Sequence, residues 1–146
     1  MDMTSENAEL SAIVERYRDA EGGLLPALRD IQNTFGHISD AAKRQCAEVF
    51  NLSRAEVHGV ASFYHDFRDQ PTGKPVIRLC RAEACQARGG EALAAEAENM
   101  ASGRVMIEPV YCLGLCSVGP NAMVGEQVHA RLGKSDIARL IDEAAA

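Results

Sequence analysis

The sequence predicts an α+β fold, with a helical segment over residues 1–70 and a mixed domain over residues 74–146. Apolar residues of the first half recur at helical spacing between recognisable caps. In the second half, short runs typical of strands alternate with runs typical of helices. A turn-rich stretch, 71–73, separates the two patterns. With 47% apolar and 25% charged residues, the chain of 146 residues has globular composition and can build a core without disulfides.

Two helices are predicted before residue 40. The first ends at Gly22-Gly23, and Pro26 opens the second, which runs to about Phe35. The apolar positions that define the buried face of the first helix are Leu10, Ile13, Val14 and Tyr17.

Two further helices are predicted to begin at capping serines. Ser39 is a suitable N-cap for the third helix. Ser53 and Glu56 have the spacing of a capping box, in which hydroxyl and carboxylate each satisfy an amide at the helix end. The residues expected on the buried faces are Ala42, Cys46 and Val49 in the third helix, and Val57, Val60, Ala61 and Tyr64 in the fourth.

The second half has the predicted order β-α-β-β-β-α. A strand over 76–79 ends directly on Cys80, and a strand over 105–107 runs towards Cys112. The remaining elements are a helix over 91–100, a hairpin of 122–124 with 128–130, and a helix capped by Ser135 that extends through Ile141. A strand–helix–strand unit followed by a hairpin and a helix suits a thioredoxin-like sandwich.

Charge and hydropathy exclude several classes of partner. The net charge is −6, and residues 1–73 carry 12 acidic against 7 basic side chains, so a nucleic-acid backbone would be repelled. The first residues lack the features of a secretory signal, and no apolar run approaches the ~18 residues of a membrane span. We therefore expect a cytoplasmic protein without nucleic-acid binding or membrane insertion. In that reducing compartment cysteines serve as metal ligands or redox groups more often than as disulfides.

Four of the five cysteines form two close pairs at the ends of predicted strands. Four residues separate Cys80 from Cys85, and three separate Cys112 from Cys116. Each pair can face one metal, and a sheet can bring both loops together around a binuclear centre. Structural zinc uses similar pairs, so spacing alone leaves zinc and iron–sulfur near parity. Neither pair has the C-x-x-C spacing of a thioredoxin dithiol.

The residues around the pairs favour an iron–sulfur cluster without deciding the question. Ala82, Ala84 and Leu113-Gly114-Leu115 are short or apolar, which leaves backbone amides free to approach sulfides while excluding water. All four histidines lie outside the two loops, which disfavours Rieske-type ligation. Cys46 stands alone in a predicted helix, and we expect it to be a core residue outside the site.

Longer motifs extend this pattern over nearly the whole chain. They are 24–32 with 35–38, 57–64, both cysteine pairs with Leu113-Gly114-Leu115, and 120–124. Together they resemble the thioredoxin-like 2Fe-2S subunits of NADH-handling complexes, including that of respiratory complex I. The resemblance implies that the four cysteines hold one 2Fe-2S cluster, one pair per iron. It also implies that the helical segment docks on a flavoprotein neighbour that carries FMN and an iron–sulfur cluster.

Two stretches, 51–60 and 80–86, are most similar to the gamma subunit of cytoplasmic, molybdenum-containing, NAD-dependent formate dehydrogenases. Complex I versions often have threonines and a proline in the first loop, which here is Arg81-Ala82-Glu83-Ala84. The resemblance implies a non-catalytic electron carrier, with formate oxidised on a molybdenum-bearing subunit and NAD reduced on the flavoprotein. The alternatives are the corresponding subunit of complex I or of an NAD-linked hydrogenase, and a zinc-stabilised interaction module.

Overall fold

Two compact units make up the part of the chain that the structure describes. The computed structural model covers residues 3–146, so residues 1 and 2, which begin the predicted segment 1–70, lie outside the described residues. The first unit ends at Pro71, and the second spans Thr72–Ala146. None of the helices within 3–146 combines the length and the apolar character that crossing a bilayer requires.

The described residues of the first unit form four helices. They are α1 (Met3–Arg16), α2 (Leu24–Phe35), α3 (Asp40–Val49) and α4 (Arg54–Phe63). The predicted N-caps of α3 and α4 are confirmed. Ser39 Oγ accepts a hydrogen bond from the Ala42 amide at 3.2 Å. Ser53 and Glu56 form the reciprocal capping box.

The junction between α1 and α2 differs from the prediction. α1 ends at Arg16, well ahead of Gly22-Gly23, and Pro26 is the third residue of α2 instead of the first. A Cβ on Gly23 would lie 2.4 Å from the carbonyl oxygen of Tyr17. This close approach requires glycine immediately before α2, and helical periodicity carries no signal for such a contact.

The inward faces of the four helices build the core of the first unit. Its largest fully buried side chains are Val14, Leu28, Ile31, Ile38, Cys46 and Val57. Val57 and Ala61 are buried on α4 as predicted, but the expectation for Tyr64 is wrong, because this residue is 42% exposed. The reason is local: α4 ends at Phe63, and Tyr64 has an extended backbone that turns its side chain off the helical face.

Polar contacts fasten the segment after α4 to α2 and α3. The Gln32 side chain donates to the carbonyl of Asp66 at 2.5 Å and accepts from the amide of Arg68 at 2.7 Å. Lys43, although buried, is paired with Asp69 at 2.5 Å. A buried ammonium group needs such a partner, so the ion pair explains how α3 can carry a lysine on its inner face.

The second unit is a four-stranded sheet with helices, which confirms the predicted α+β class. Its elements are β1 (Val76–Cys80), α5 (Glu83–Gln86), α6 (Gly90–Ala101), β2 (Met106–Val110), β3 (Ala122–Val124), β4 (Gln127–His129) and α7 (Lys134–Ala145). The strand order is β2-β1-β3-β4, with β1 parallel to β2 and the other pairs antiparallel. Helices α6 and α7 pack on each other and on β1. The core residues include Ile77, Leu79, Leu93, Ala97, Ala122, Ile137 and Ile141.

Three local features of the second unit differ from the prediction. The hairpin turn is Gly125-Glu126, with Gln127 already in β4. Ser135 is the second residue of α7 and not its cap. The N-cap is Gly133, whose amide donates to the Asp136 carboxylate at 2.9 Å. Helix α5 was not predicted, since four residues are too few to show helical periodicity.

Candidate functional site

The sheet places both cysteine pairs at one edge. Cys80 is the last residue of β1 and lies in register with Val110, the last residue of the parallel strand β2. The carboxyl ends of parallel strands meet at the same edge, so the loops that follow leave side by side. Cys85 lies in α5, Cys112 lies in the loop after β2, and Cys116 begins a short 3-10 helix, Cys116–Val118, that ends this loop. The first pair is buried and the second is exposed.

The second pair is held close by its own loop. Cys112 Sγ and Cys116 Sγ are 3.6 Å apart, and the amide of Gly114 donates to Cys112 Sγ at 3.4 Å. Gly114 has a φ of +79°, a left-handed conformation that favours glycine and turns the amide towards the sulfur. The three-residue spacing thus gives two adjacent sulfurs, as predicted.

Cys80 is the point at which the two loops meet. The backbone amides of Ala82, in its own loop, and of Cys112 and Leu113, in the second loop, lower the pKa of the Cys80 thiol. The Cys85 thiol lowers the pKa of Cys80 in the same way, and Cys80 in turn raises the pKa of Cys85. Sequence spacing predicts the two pairs, and in the structure the amide of Arg81 donates to the carbonyl of Val110 at 2.8 Å, which holds the starts of the two loops together.

The pKa shifts of these thiols have a common electrostatic origin. Burial raises the pKa of Cys80, but the amides of Ala82 and the second loop outweigh it and leave the pKa below its usual value. The pKa of Cys85 is raised by burial and by its neighbour Cys80, and that of Cys116 is raised by Cys112. Several thiolates cannot lie together without positive charge, so this donor set suits a cationic metal centre, which deprotonates its ligands.

Asn121 connects the two loops but was not predicted as a site residue. Its carbonyl accepts the amide of Cys80 at 2.9 Å, and its side-chain Nδ2 donates to the carbonyl of Leu115 at 2.7 Å. Only 1% of Asn121 is exposed, and Oδ1 has no hydrogen-bond partner among the described residues. An unsatisfied buried acceptor costs about 1–3 kcal/mol. Asn121 belongs to the motif 120–124, where the sequence carried no chemical signal for it.

Two glycines leave room for the Cys85 thiol and its backbone. A Cβ on Gly119 would lie 3.0 Å from Cys85 Sγ, and a Cβ on Gly90 would lie 2.7 Å from the Cys85 carbonyl oxygen. Both distances are shorter than ordinary contacts, so a side chain at either position would displace Cys85. The absence of a Cβ therefore shapes the buried half of the site.

Cys46 is placed where the sequence predicted it. It is a buried core residue of α3 in the first unit, and burial raises the pKa of its thiol to about 11. In the described part of the chain, no group of three or more histidine, cysteine, aspartate or glutamate side chains converges as the ligand set of a single metal ion. The four remaining thiols are therefore best described as two pairs at one edge of the sheet.

The comparison with protein families identifies the family of the chain. The family model for thioredoxin-like [2Fe-2S] ferredoxins matches residues 10–145. The chain belongs to this family. Membership confirms the predicted thioredoxin-like 2Fe-2S fold and the predicted cofactor, one 2Fe-2S cluster. The chain has two pairs of free thiols at one edge of the sheet, and a cluster of this kind is held by four cysteine thiolates.

Similar proteins include the E subunits of NADH-quinone oxidoreductases from several bacteria. The one from Escherichia coli K12 is 33% identical over 92% of this chain and 89% of its own length. A relative of the same type from Rhizobium meliloti is 30% identical, over 90% of this chain and 82% of its length.

A solved structure also matches. It is an NAD+-reducing [NiFe]-hydrogenase in the H2-reduced state, with a TM-score of 0.71 and 24% identity. The match covers 84% of this chain but only 22% of that one. At this identity it shows the fold alone.

Proposed function

We propose that the chain is an electron-transfer subunit whose 2Fe-2S cluster is held by Cys80, Cys85, Cys112 and Cys116, one pair per iron. The observation that carries this proposal is the parallel register of Cys80 with Val110, which brings the loops that bear the two pairs to one edge of the sheet. When bound, such a cluster accepts and returns single electrons. The zinc-stabilised module is the further alternative, and it accounts less well for the match to a [2Fe-2S] ferredoxin family.

The protein around the thiols controls charge and access. Backbone N–H groups at Cys80 and Cys112 favour negative charge on the sulfurs, which is how proteins tune such a centre. Cys80 and Cys85 are shielded, whereas Cys112 and Cys116 lie at the surface. The exposed pair would thus mark the side from which a redox partner approaches.

We infer that the partner is a flavoprotein that binds FMN and NAD and carries its own iron–sulfur cluster. We also infer that the helical segment 1–70 docks on this flavoprotein. An exposed apolar groove of about 660 Å³ on the first unit supports this. Leu25, Phe63 and Tyr64 line it, and Phe63 is 74% exposed. Exposed apolar patches of this kind mark binding surfaces, and the acidic excess of this half would add charge complementarity.

For the parent complex, we propose a cytoplasmic NAD-dependent formate dehydrogenase with a molybdenum-bearing catalytic subunit. The first ligand loop, Arg81-Ala82-Glu83-Ala84, supports this because it resembles that branch of the family. Complex I is the second candidate, supported by 33% identity to a component of NADH-quinone oxidoreductase. An NAD-linked hydrogenase is the third, since a subunit of this family would serve any such complex.

Affinity purification of the full chain from its native cell tests this assignment. Co-isolation of flavin and molybdenum subunits is the expected result. Membrane-bound quinone reductase subunits would point to complex I, and a nickel subunit to a hydrogenase. Iron and acid-labile sulfide, two of each per chain as a 2Fe-2S cluster demands, are expected in anaerobically prepared protein. Stoichiometric zinc without sulfide would refute the cluster.

A further inference from the structure

Asn121 is a buried polar residue at the centre of the cysteine site. Its Nδ2 lies 2.7 Å from the Leu115 carbonyl oxygen and 3.7 Å from Cys85 Sγ. Its backbone carbonyl accepts a hydrogen bond from the amide of Cys80 at 2.9 Å. One residue therefore contacts both cysteine loops through main chain and side chain.

The partners of Asn121 determine the orientation of its amide. A carbonyl oxygen can only accept hydrogen bonds, and a metal-bound thiolate is likewise an acceptor. The NH₂ group must therefore face Leu115 and Cys85, and this leaves Oδ1 on the side where the described residues offer no donor. A nearly isosteric leucine would avoid that unsatisfied acceptor, so the retained amide calls for an explanation.

The sulfur is held against the donor by close packing. A Cβ on Gly119 would come within 3.0 Å of Cys85 Sγ, so the backbone two residues before Asn121 leaves no room for a side chain beside the sulfur. Cys85 is 1% exposed, which removes water as a competing donor. In such a dry setting, an N–H group aimed at sulfur has a larger electrostatic effect than at the surface.

We propose that Asn121 is a positioning residue that ties the two ligand loops together and donates an N–H···S hydrogen bond to Cys85, which raises the reduction potential of the cluster. The proposal rests on the proposed function, in which Cys85 is a ligand. Reduction adds negative charge that spreads onto the ligand sulfurs. A fixed N–H donor stabilises the reduced state more than the oxidised state.

Redox titration of the full-length, reconstituted protein tests the proposal, with Asn121→Leu compared against Gln86→Leu. Gln86 is a matched control, because its side-chain amide also lies in the first loop. This amide donates to the Arg81 carbonyl, at 2.7 Å, and not to a sulfur. At fixed potential, Asn121→Leu should lower the reduced-to-oxidised ratio about tenfold, a shift of ~59 mV for one electron. Gln86→Leu should stay within about twofold of the unchanged protein. A ratio within twofold for Asn121→Leu would overturn the proposal.

A measurement without substitution covers the case in which Asn121→Leu loses its cluster. Asparagine labelled with ¹⁵N only in the side-chain amide is incorporated, and the reduced cluster is studied by pulsed electron paramagnetic resonance. A resolved ¹⁵N coupling is expected. A cluster with normal iron and sulfide but no coupling would overturn the role of Asn121 alone, whereas zinc without sulfide would overturn the proposed function as well.

Discussion

At the scale of single residues, two buried thiols are expected to behave differently. Cys46→Ala should keep the cluster and cost on the order of 1 kcal/mol of stability, because Cys46 only fills space in the core of the first unit. Cys85→Ala should lose the cluster, because it removes one of the four thiolates proposed to hold it. Visible absorption and iron content after reconstitution show whether each variant keeps the cluster. Loss of the visible spectrum in Cys46→Ala, with circular dichroism unchanged, would contradict the ligand assignment.

Gly119→Ala tests the close packing around Cys85. The backbone of Gly119 (φ −69°, ψ 166°) is accessible to alanine, so only the new contact of 3.0 Å with Cys85 Sγ is expected to matter. Displacing the sulfur should shorten the lifetime of the reconstituted cluster and shift its paramagnetic resonance spectrum. Gly59→Ala is the control, since a Cβ there meets open space within α4. Equal lifetimes and spectra for both variants would show that the contact is easily relieved.

At the scale of elements, Ser53→Ala should destabilise α4. The change removes the acceptor for the Glu56 amide, at 3.2 Å, and should cost about 1 kcal/mol. Hydrogen exchange of the α4 amides measures this loss of stability locally. A local measurement is needed because the two compact units need not unfold together. Ser62→Ala, near the other end of α4, removes only the hydrogen bond that the Ser62 hydroxyl donates to the Gly59 carbonyl, and it should change the stability of α4 little. Equal exchange in both variants would exclude a stabilising cap.

At the scale of the whole molecule, each unit has its own core. Core residues of the first unit fall between Leu10 and Phe67, and those of the second between Ile77 and Ala144. We therefore predict that a chain starting at Gly73 folds and assembles the 2Fe-2S cluster but fails to co-purify with the flavoprotein. Iron content and co-purification measure the two outcomes. Insoluble or cluster-free protein would indicate that the helices complete the core, and undiminished binding would exclude the docking role.

A single substitution in the full chain tests the docking groove. Phe63→Ser should reduce binding to the flavoprotein at least tenfold while leaving the cluster spectrum unchanged, because Phe63 is exposed on the first unit. Val128→Ser is the control, an exposed apolar residue of β4 in the second unit. Binding is measured by titration with the purified flavoprotein. Equal affinities for the two variants would place the docking surface elsewhere.

Local signals in the sequence were sufficient for several elements. The capping box of Ser53 and Glu56 involves residues three apart, so its recognition needs no knowledge of the rest of the fold. The same holds for the N-cap at Ser39 and for the two cysteine pairs, whose sulfurs can approach because of their short spacing. The α+β class followed from the change of apolar periodicity after residue 73.

Tertiary contacts decided what local signals could not. The start of α2 depends on the contact of Gly23 with Tyr17, and the exposure of Tyr64 depends on where α4 ends. The role of Asn121 arises because β3 lies next to β1 in the sheet, which brings this residue beside Cys80. The sequence by itself determined the paired thiols, the caps and the class of fold, since these depend on neighbours along the chain. Only the folded structure decided which thiols are buried and which amides face them, because those contacts join residues distant in sequence.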